Sequence, residues 1–447
     1  LTADEMKRFA ERTVRKAIGS GAETAEVTVI ERMEFAAEAR KGAIEKLIES
    51  VSSAVDIVIS VDRRKALVSS SDLSEESVTS LITEGIELAK VMDRDEYFAL
   101  PEASEIGAAG EELGIFDPEA SAVPTERKIA LALELERNAL RLDRRIIPDG
   151  SSFSNSSKTI AFANSIGFCD AYRRTAHMLA LSCAVEDRPE NSENIGKRQS
   201  SHWYSTAICA RDLDRTDEIA SKAVSRTIRK IGARKPKTCE APVVFDPEAT
   251  RDLLESIAHA VSGGNIYRKS SFLVDLAGTQ VSSPLVTIVD DAIMPGRIGS
   301  RPFDSEGVRA RRNIVLERGI LRSYLLSSYQ ARKLGLRTTG NAGGISNFYI
   351  EPGSSDPREI TAGVRQGLYL TALFGPGANW MTGDFSQGAQ GFWIENGEIA
   401  YPVDEFTIAG SFPAMLSGIV MVGSDIDWRN PIAAPTIQIE RMTISGT

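Results

Sequence analysis

Three runs near the N-terminus decide how this chain folds: AEVTVIERMEFAAEAR (25–40), AIEKLIES (43–50) and AVDIVISVD (54–62). They alternate apolar with polar residues or are rich in β-branched ones, which is the period-2 signature of strands. Turn signals separate them at Lys41-Gly42 and around Asp62-Arg63. The runs read as a meander. Upstream, ADEMKRFAERTVRKAIGSG sets Phe9, Val14 and Ile18 near helical spacing and ends at Gly21. Downstream, SEESVTSLITEGIELAKVM reads as a helix with Ser74 as N-cap and acids in its first turn. Helix, meander and helix make a first unit over 1–100.

Residues 101–124 are rich in Ala, Gly, Pro and Glu without an apolar period, and read as a connector. A second unit follows over 125–234. It opens on the helical PTERKIALALELERNALRLD, with Thr125 as candidate cap, and continues through the strand-like TIAFANS, GFCDAYRRTAHMLALSCAVE and SHWYSTAICA. It closes on the helix TDEIASKAVSRTIRKIG. The third unit, 238–447, begins with the strand APVVF and the helix DLLESIAHAVSGGN (252–265), then turns Gly-rich and strand-rich. Lys41-Gly42, Arg318-Gly319 and Asn396-Gly397 each place X-Gly between β-formers, the short hairpin signal. The fold class expected is α+β. Helix-flanked antiparallel or mixed sheets occupy the first two units, and a strand-rich C-terminal unit carries one early helix.

Composition excludes several functions. A chain of 447 residues divides into more than one core. Lys+Arg 52 against Asp+Glu 62 gives a net charge of -10, which repels nucleic acid and anionic membranes. No apolar run approaches the roughly 20 residues of a membrane span, and the N-terminus has no secretory apolar core, so the cytoplasm is the expected location. Cys169, Cys183, Cys209 and Cys239 are widely spaced, as in a reduced protein. The basic run Arg229, Lys230, Arg234, Lys235 and Lys237 is explained by a helix C-terminus followed by a linker, without a nucleic-acid partner.

Chemistry concentrates in a few places. Glu255 and His259 stand four apart on one helix face, opposite a stripe of Leu253, Leu254, Ile257, Ala260 and Val261, with Asp252 beside them. The pair reads as a solvated face, a partner contact or two ligands of a metal. Cys169, His177, Cys183, His202 and Cys209 lie on strands at spacings unlike zinc-knuckle pairs, and read as core residues. MTGDFSQGAQGFW offers Gly383, Asp384, Ser386, Gly388 and Gly391: backbone that can approach a ligand, but not G-x-S-x-G, and no histidine follows it. Asp304 and Glu306 in RPFDSEG read as acceptors for turn backbone rather than an acid–base pair.

YRKSSFLVDLAGTQVSSPLVTIVDD, RPFDSEGVRARRNIVLERGILRSYLL, SYQARKLGLRTTGNAGG and GANWMTGDFSQGAQGFWIENGEIAYPVDEFTIAG resemble the TldD/PmbA family, and within it the PmbA (TldE) branch. GAETAEVTVIERMEFAAEARKGAIEKLIES resembles its first domain, so the likeness spans nearly the whole chain. The resemblance implies cytoplasmic maturation of peptide precursors and degradation of unfolded small proteins; some members carry the label modulator of DNA gyrase. It also implies, in the TldD branch, a zinc site of His-Glu-x-x-x-His on this helix completed by a later cysteine. Zinc needs about three protein ligands and an open place for the attacking water, whose proton the glutamate takes. Carried onto this chain, the histidines fall on Glu255 and Ala260 and the glutamate on Ser256. The cysteine falls near DIDWRNPIAAP, which has none. The implied role is a subunit without zinc of its own, the ion being expected only on a TldD-like partner, with a homodimer as the other assembly. A flexible peptide is the expected substrate. Gly383, Asp384, Ser386, Gly388 and His259 are the candidate channel or interface residues. Binding of unfolded peptide or a regulatory target without a partner, and an unrecognised metal site, stand as alternatives.

Overall fold

β1 (Thr24–Arg40) and β2 (Ala43–Val61) form one long hairpin in the computed structural model, which describes residues 1–187 and 197–446. The turn takes Lys41 to φ 55° and Gly42 to φ 75°. Positive φ at both central residues matches the right-handed twist of the strands. Asp62 and Arg63 repeat this between β2 and β3 (Arg64–Ser70). β4 (Ile147–Asn164), β5 (Cys169–Glu186) and β6 (Arg198–Ala207) complete an antiparallel sheet of order β3-β2-β1-β4-β5-β6. Strands from both sides of the 101–124 segment therefore share one sheet through β1–β4 pairing, Val29 opposite Ala161 and Phe35 opposite Asn155.

Four helices cover one face of this sheet: α1 (Ala3–Gly19), α2 (Glu75–Val91), α3 (Thr125–Leu142) and α4 (Thr216–Ile228). Val27 and Val29 pack under α1 and α2, while Phe35, Ala37 and Ala39 pack under α3 and α4. All five are odd-numbered, so the helix pairs sit at opposite ends of one face. Ser74 caps α2 by accepting from the Ser77 amide at 3.3 Å. At α3 the cap is Pro124, with no side-chain bond, and Thr125 is the first helical residue rather than the cap. The 101–124 segment docks on the third unit through an Ile106–Val308 bridge and an Arg311–Glu105 ion pair at 2.6 Å.

The third unit begins with β7 (Cys239–Phe245) and α5 (Pro247–Ala260), followed at once by the short α6 (Gly263–Tyr267). β8 (Ile288–Asp291), β9 (Arg312–Glu317), β10 (Ile320–Leu321) and β11 (Asn347–Ile350) follow. β12 (Gln366–Phe374), β13 (Asp384–Glu395), β14 (Glu398–Ser411), β15 (Ile419–Val422), β16 (Ile432–Ala433) and β17 (Ile437–Ser445) end the unit. One sheet has order β14-β13-β12-β7-β17-β15, and the additional β14–β17 pairing closes its first five strands into a ring. The other has order β10-β9-β8-β11-β16. Arg318-Gly319 and Asn396-Gly397 turn hairpins with both φ values positive. α5 is the early helix expected; helices of five to seven residues at Gly263–Tyr267, Ser328–Leu334, Pro357–Ala362 and Phe412–Ser417 add to it, too short to leave a period in the sequence. The whole is a mixed α+β protein. Among the described residues no helix is long and apolar enough to cross a membrane.

Candidate functional site

α5 starts where the central strand β7 delivers it. The Asp246 carboxylate accepts from the Ala249 amide at 2.8 Å, and Pro247 occupies the first turn, where its missing N–H is not needed. Leu253, Leu254, Ile257, Ala260 and Val261 are buried as their spacing requires, and Asp252, Glu255 and His259 lie on the other side. Ser256 and Ala258 are buried as well. The helix shares one apolar cluster with β7, β12 and β17 of the ring and with β8, β9 and β11 of the other sheet, so it is enclosed on more than one side.

The three positions that align with the zinc motif do not fit a zinc ion. Glu255 is exposed, the Ser256 hydroxyl turns back to the Asp252 carbonyl at 3.5 Å, and Ala260 is fully buried with no donor atom on its side chain. In DIDWRNPIAAP, Asp425 accepts from the Thr436 amide at 3.0 Å and hydroxyl at 2.7 Å, and Asp427 pairs with Arg429. Those acids hold loop backbone and a guanidinium. Among the described residues no group of three or more His, Cys, Asp or Glu is arranged to hold a metal.

His259 stacks on Trp380, ring centres 4.8 Å apart and planes 21° from parallel. Trp380 belongs to the loop before β13, and its carbonyl accepts from the Phe272 amide at 3.0 Å. Phe272 stacks on Phe412 at 5.5 Å, and the Phe412 amide donates to the Gly383 carbonyl at 2.7 Å. Gly383 is thereby held, buried, beneath the surface that His259 shares with the exposed Met381 and Asp384. The Thr382 hydroxyl donates to Asp384 at 2.6 Å. Ser386 and Gly388 run away along β13, an interior strand paired on both sides with β12 and β14. An added Cβ at Gly388 would meet Phe374 at 3.6 Å, an ordinary contact. The tight positions are Gly377, against the Ser386 carbonyl, and Gly391, against the Tyr369 carbonyl, where a Cβ would overlap backbone oxygen.

Elsewhere the chemistry-bearing residues are absorbed by the fold. The buried Asp304 carboxylate accepts from the amides of Glu306 at 2.9 Å, Val308 at 3.0 Å and Ala342 at 2.9 Å. Burial, with Glu306 nearby, pushes it up to about 6. His177 is buried 3.4 Å from Asp117, and burial lowers its proton affinity. Burial pushes the Cys183 thiol up to about 12.

The largest group that sequence reasoning missed is at the first turn of α5. Glu248 pairs with Arg226 of α4 and with Arg429 at 3.2 Å. Arg429 lies 3.6 Å over Trp203, and the Arg429 carbonyl accepts from Thr206 of β6. This hub ties the first sheet to the third unit. Asp246-Pro247-Glu248 was its signal, the cap and first turn of α5, which does not announce a salt-bridge centre.

Family models described as the PmbA/TldA metallopeptidase central domain and C-terminal domain match residues 118–231 and 238–446. The chain is 34% identical to a metalloprotease PmbA of Escherichia coli, over 94% of this chain and 92% of that relative. It is 35% identical to a metalloprotease PmbA homolog of Haemophilus influenzae, over 99% and 96%. A solved structure from Bacteroides thetaiotaomicron, described as a proposed modulator of DNA gyrase, superposes with TM-score 0.93 at 27% identity, covering 99% of each chain. Relatives named TldD homologs are more distant, at 27% identity over 69% of this chain for one from Buchnera aphidicola and 70% of that relative.

Proposed function

From the premise that this chain belongs to the PmbA/TldD metallopeptidase family, we propose that it is a PmbA/TldE-type subunit that grips flexible peptide and leaves bond cleavage to a zinc-bearing TldD-like partner. One observation carries the reading: where the zinc motif would stand, the helix presents an outward carboxylate at Glu255, a hydroxyl bonded to backbone at Ser256 and a buried methyl at Ala260. Hydrolysis at this helix lacks the ligands that hold zinc and the glutamate that takes the proton of the attacking water.

What this chain supplies is a surface. The His259–Trp380 stack, with exposed Met381 and Asp384, offers an aromatic and apolar platform edged by a carboxylate. Such a platform holds an unfolded peptide by side-chain contact without demanding a sequence. Cytoplasmic maturation of peptide precursors is the setting proposed. A second reading, a binding protein for unfolded peptide or for a regulatory target such as gyrase that works without a partner, draws on the description of the Bacteroides thetaiotaomicron structure.

Mixing the purified chain with a TldD-like chain separates the two. The proposal expects a mixed assembly in size-exclusion chromatography with light scattering, and digestion of an unfolded polypeptide such as casein only by the mixture. A stable homodimer that binds casein unaided and never associates with the TldD-like chain supports the second reading and overturns the first.

A further inference from the structure

A cleft of about 230 Å³ opens between α4 and β6 on one side and α5, β12 and β13 on the other. Its deep wall carries Lys230, Arg226, Glu248, Thr371 and Gln390, and His202 stands at the exposed rim. Lys230 belongs to the basic run read as a helix C-terminus followed by a linker, yet only 8% of it is exposed. Its ammonium donates to the Ser200 carbonyl and to Gln390 Oε1, both at 2.8 Å. Both acceptors are neutral, and a third N–H remains.

Among the described residues no carboxylate lies within ion-pair distance of Lys230. Two acids line the cleft: Glu248 is taken on both sides by Arg226 and Arg429, and Asp149 pairs with Arg40 at 2.8 Å. The Asp404 carboxylate accepts from the Gln390 side-chain amide at 3.3 Å and from the Glu405 amide at 2.7 Å. Arg226 Nε is buried without a hydrogen-bond partner. A buried cation with neutral partners and a guanidinium N–H without any is a costly arrangement that one anionic oxygen group offsets. Burial and the neighbouring Arg226 pull Lys230 down to about 8, the direction expected when cations share a dry wall.

We propose that this cleft is a binding site for a single oxyanion, a carboxylate or phosphate group, held by Lys230 and Arg226. Both residues line the cleft, and ammonium and guanidinium groups are the donors that carboxylate and phosphate sites use. The site is separate from the platform at the other end of α5: residues 248 and 259 are about 16 Å apart along a helix rising about 1.5 Å per residue. It stands whether or not the peptidase reading holds. Two sources carry this chemistry, a free phosphate and the C-terminal carboxylate of a peptide.

The test is calorimetric titration of the full chain at pH 7 and constant ionic strength with inorganic phosphate, and with a short peptide as the free acid and as its C-terminal amide. Saturable binding of phosphate or of the free-acid peptide is expected, weakened at least tenfold in Lys230→Met. Ala372→Leu, which fills the cleft without touching a charge, should weaken it comparably and guards against misfolding of the first variant. Phosphate alone binding identifies a free-anion site; the free acid binding at least tenfold tighter than the amide, with phosphate competing, identifies a peptide terminus. Absence of saturable binding by either anion, or binding unchanged in both variants, overturns the proposal.

Discussion

Replacing Glu248 with glutamine tests whether charge fastens the first turn of α5 to the rest of the molecule. Glu248 is buried and pairs with Arg226 and Arg429. Removing one partner of a buried ion pair costs about 3–5 kcal/mol when the other charge is left alone. Here neither arginine is left alone: Arg226 keeps Asp246 at 3.7 Å and Arg429 keeps Asp427 at 2.5 Å. Glutamine also retains an acceptor oxygen. These compensations reduce the cost to roughly 2 kcal/mol, and loss of a negative charge from a helical first turn adds about 0.5 kcal/mol. The assay is urea unfolding followed by tryptophan fluorescence, to which Trp203 beneath Arg429 contributes. Glu255→Gln, on the exposed face of the same helix, is the control and should stay within about 0.5 kcal/mol. Equal stabilities for the two variants would refute the reasoning, since the hub would then be no more than adjacent charges.

Gly391→Ala should destabilise by more than about 2 kcal/mol, because its Cβ meets the Tyr369 carbonyl, whereas Gly388→Ala has room and should cost about 1 kcal/mol or less; paired melting curves decide it. Burial next to Glu306 raises Glu26 to about 8 from an ordinary 4.5. The folded state thus keeps a proton that the unfolded chain releases, so the stability this group contributes is complete below pH 4.5 and is lost as pH rises through 8. Glu26→Gln should therefore gain on the parent by roughly 1–3 kcal/mol between pH 5 and 8.5 in denaturant titrations, a figure reduced for partial exposure. An unchanged difference across that range counts against the burial. Cys183, fully buried and pushed up to about 12, should be the last of the four thiols to react with a disulfide reagent at pH 8 and should react only on unfolding.

What the sequence made legible was whatever local chemistry forces. Lys41-Gly42, Arg318-Gly319 and Asn396-Gly397 announced their hairpins because both central residues need positive φ. The buried stripe of α5 followed from spacing, whereas the zinc-motif positions at Glu255, Ser256 and Ala260 came only from the family resemblance. Other features depend on partners distant in the chain. The start of β4, IPDGSSFSNSSK, carries no strand period because Ser and Asn dominate it, yet it pairs with β5 from Ile147 and with β1 as well from Ser151. Ser256 and Ala258 are buried because α5 lies between two sheets, which no single-helix period reveals. Lys230 read as one charge of a helix C-terminus and linker, and the approach of β6 and β13 encloses it. The pairing of β1 with β4 across the 101–124 segment left no local mark either.

The central claim of the proposed function is that this chain carries no zinc of its own, and the most direct test is the metal content of the chain purified without a partner. Elemental analysis should find well under one zinc per chain, together with no cleavage of unfolded polypeptide. Stoichiometric zinc that is lost on His259→Ala would contradict the account.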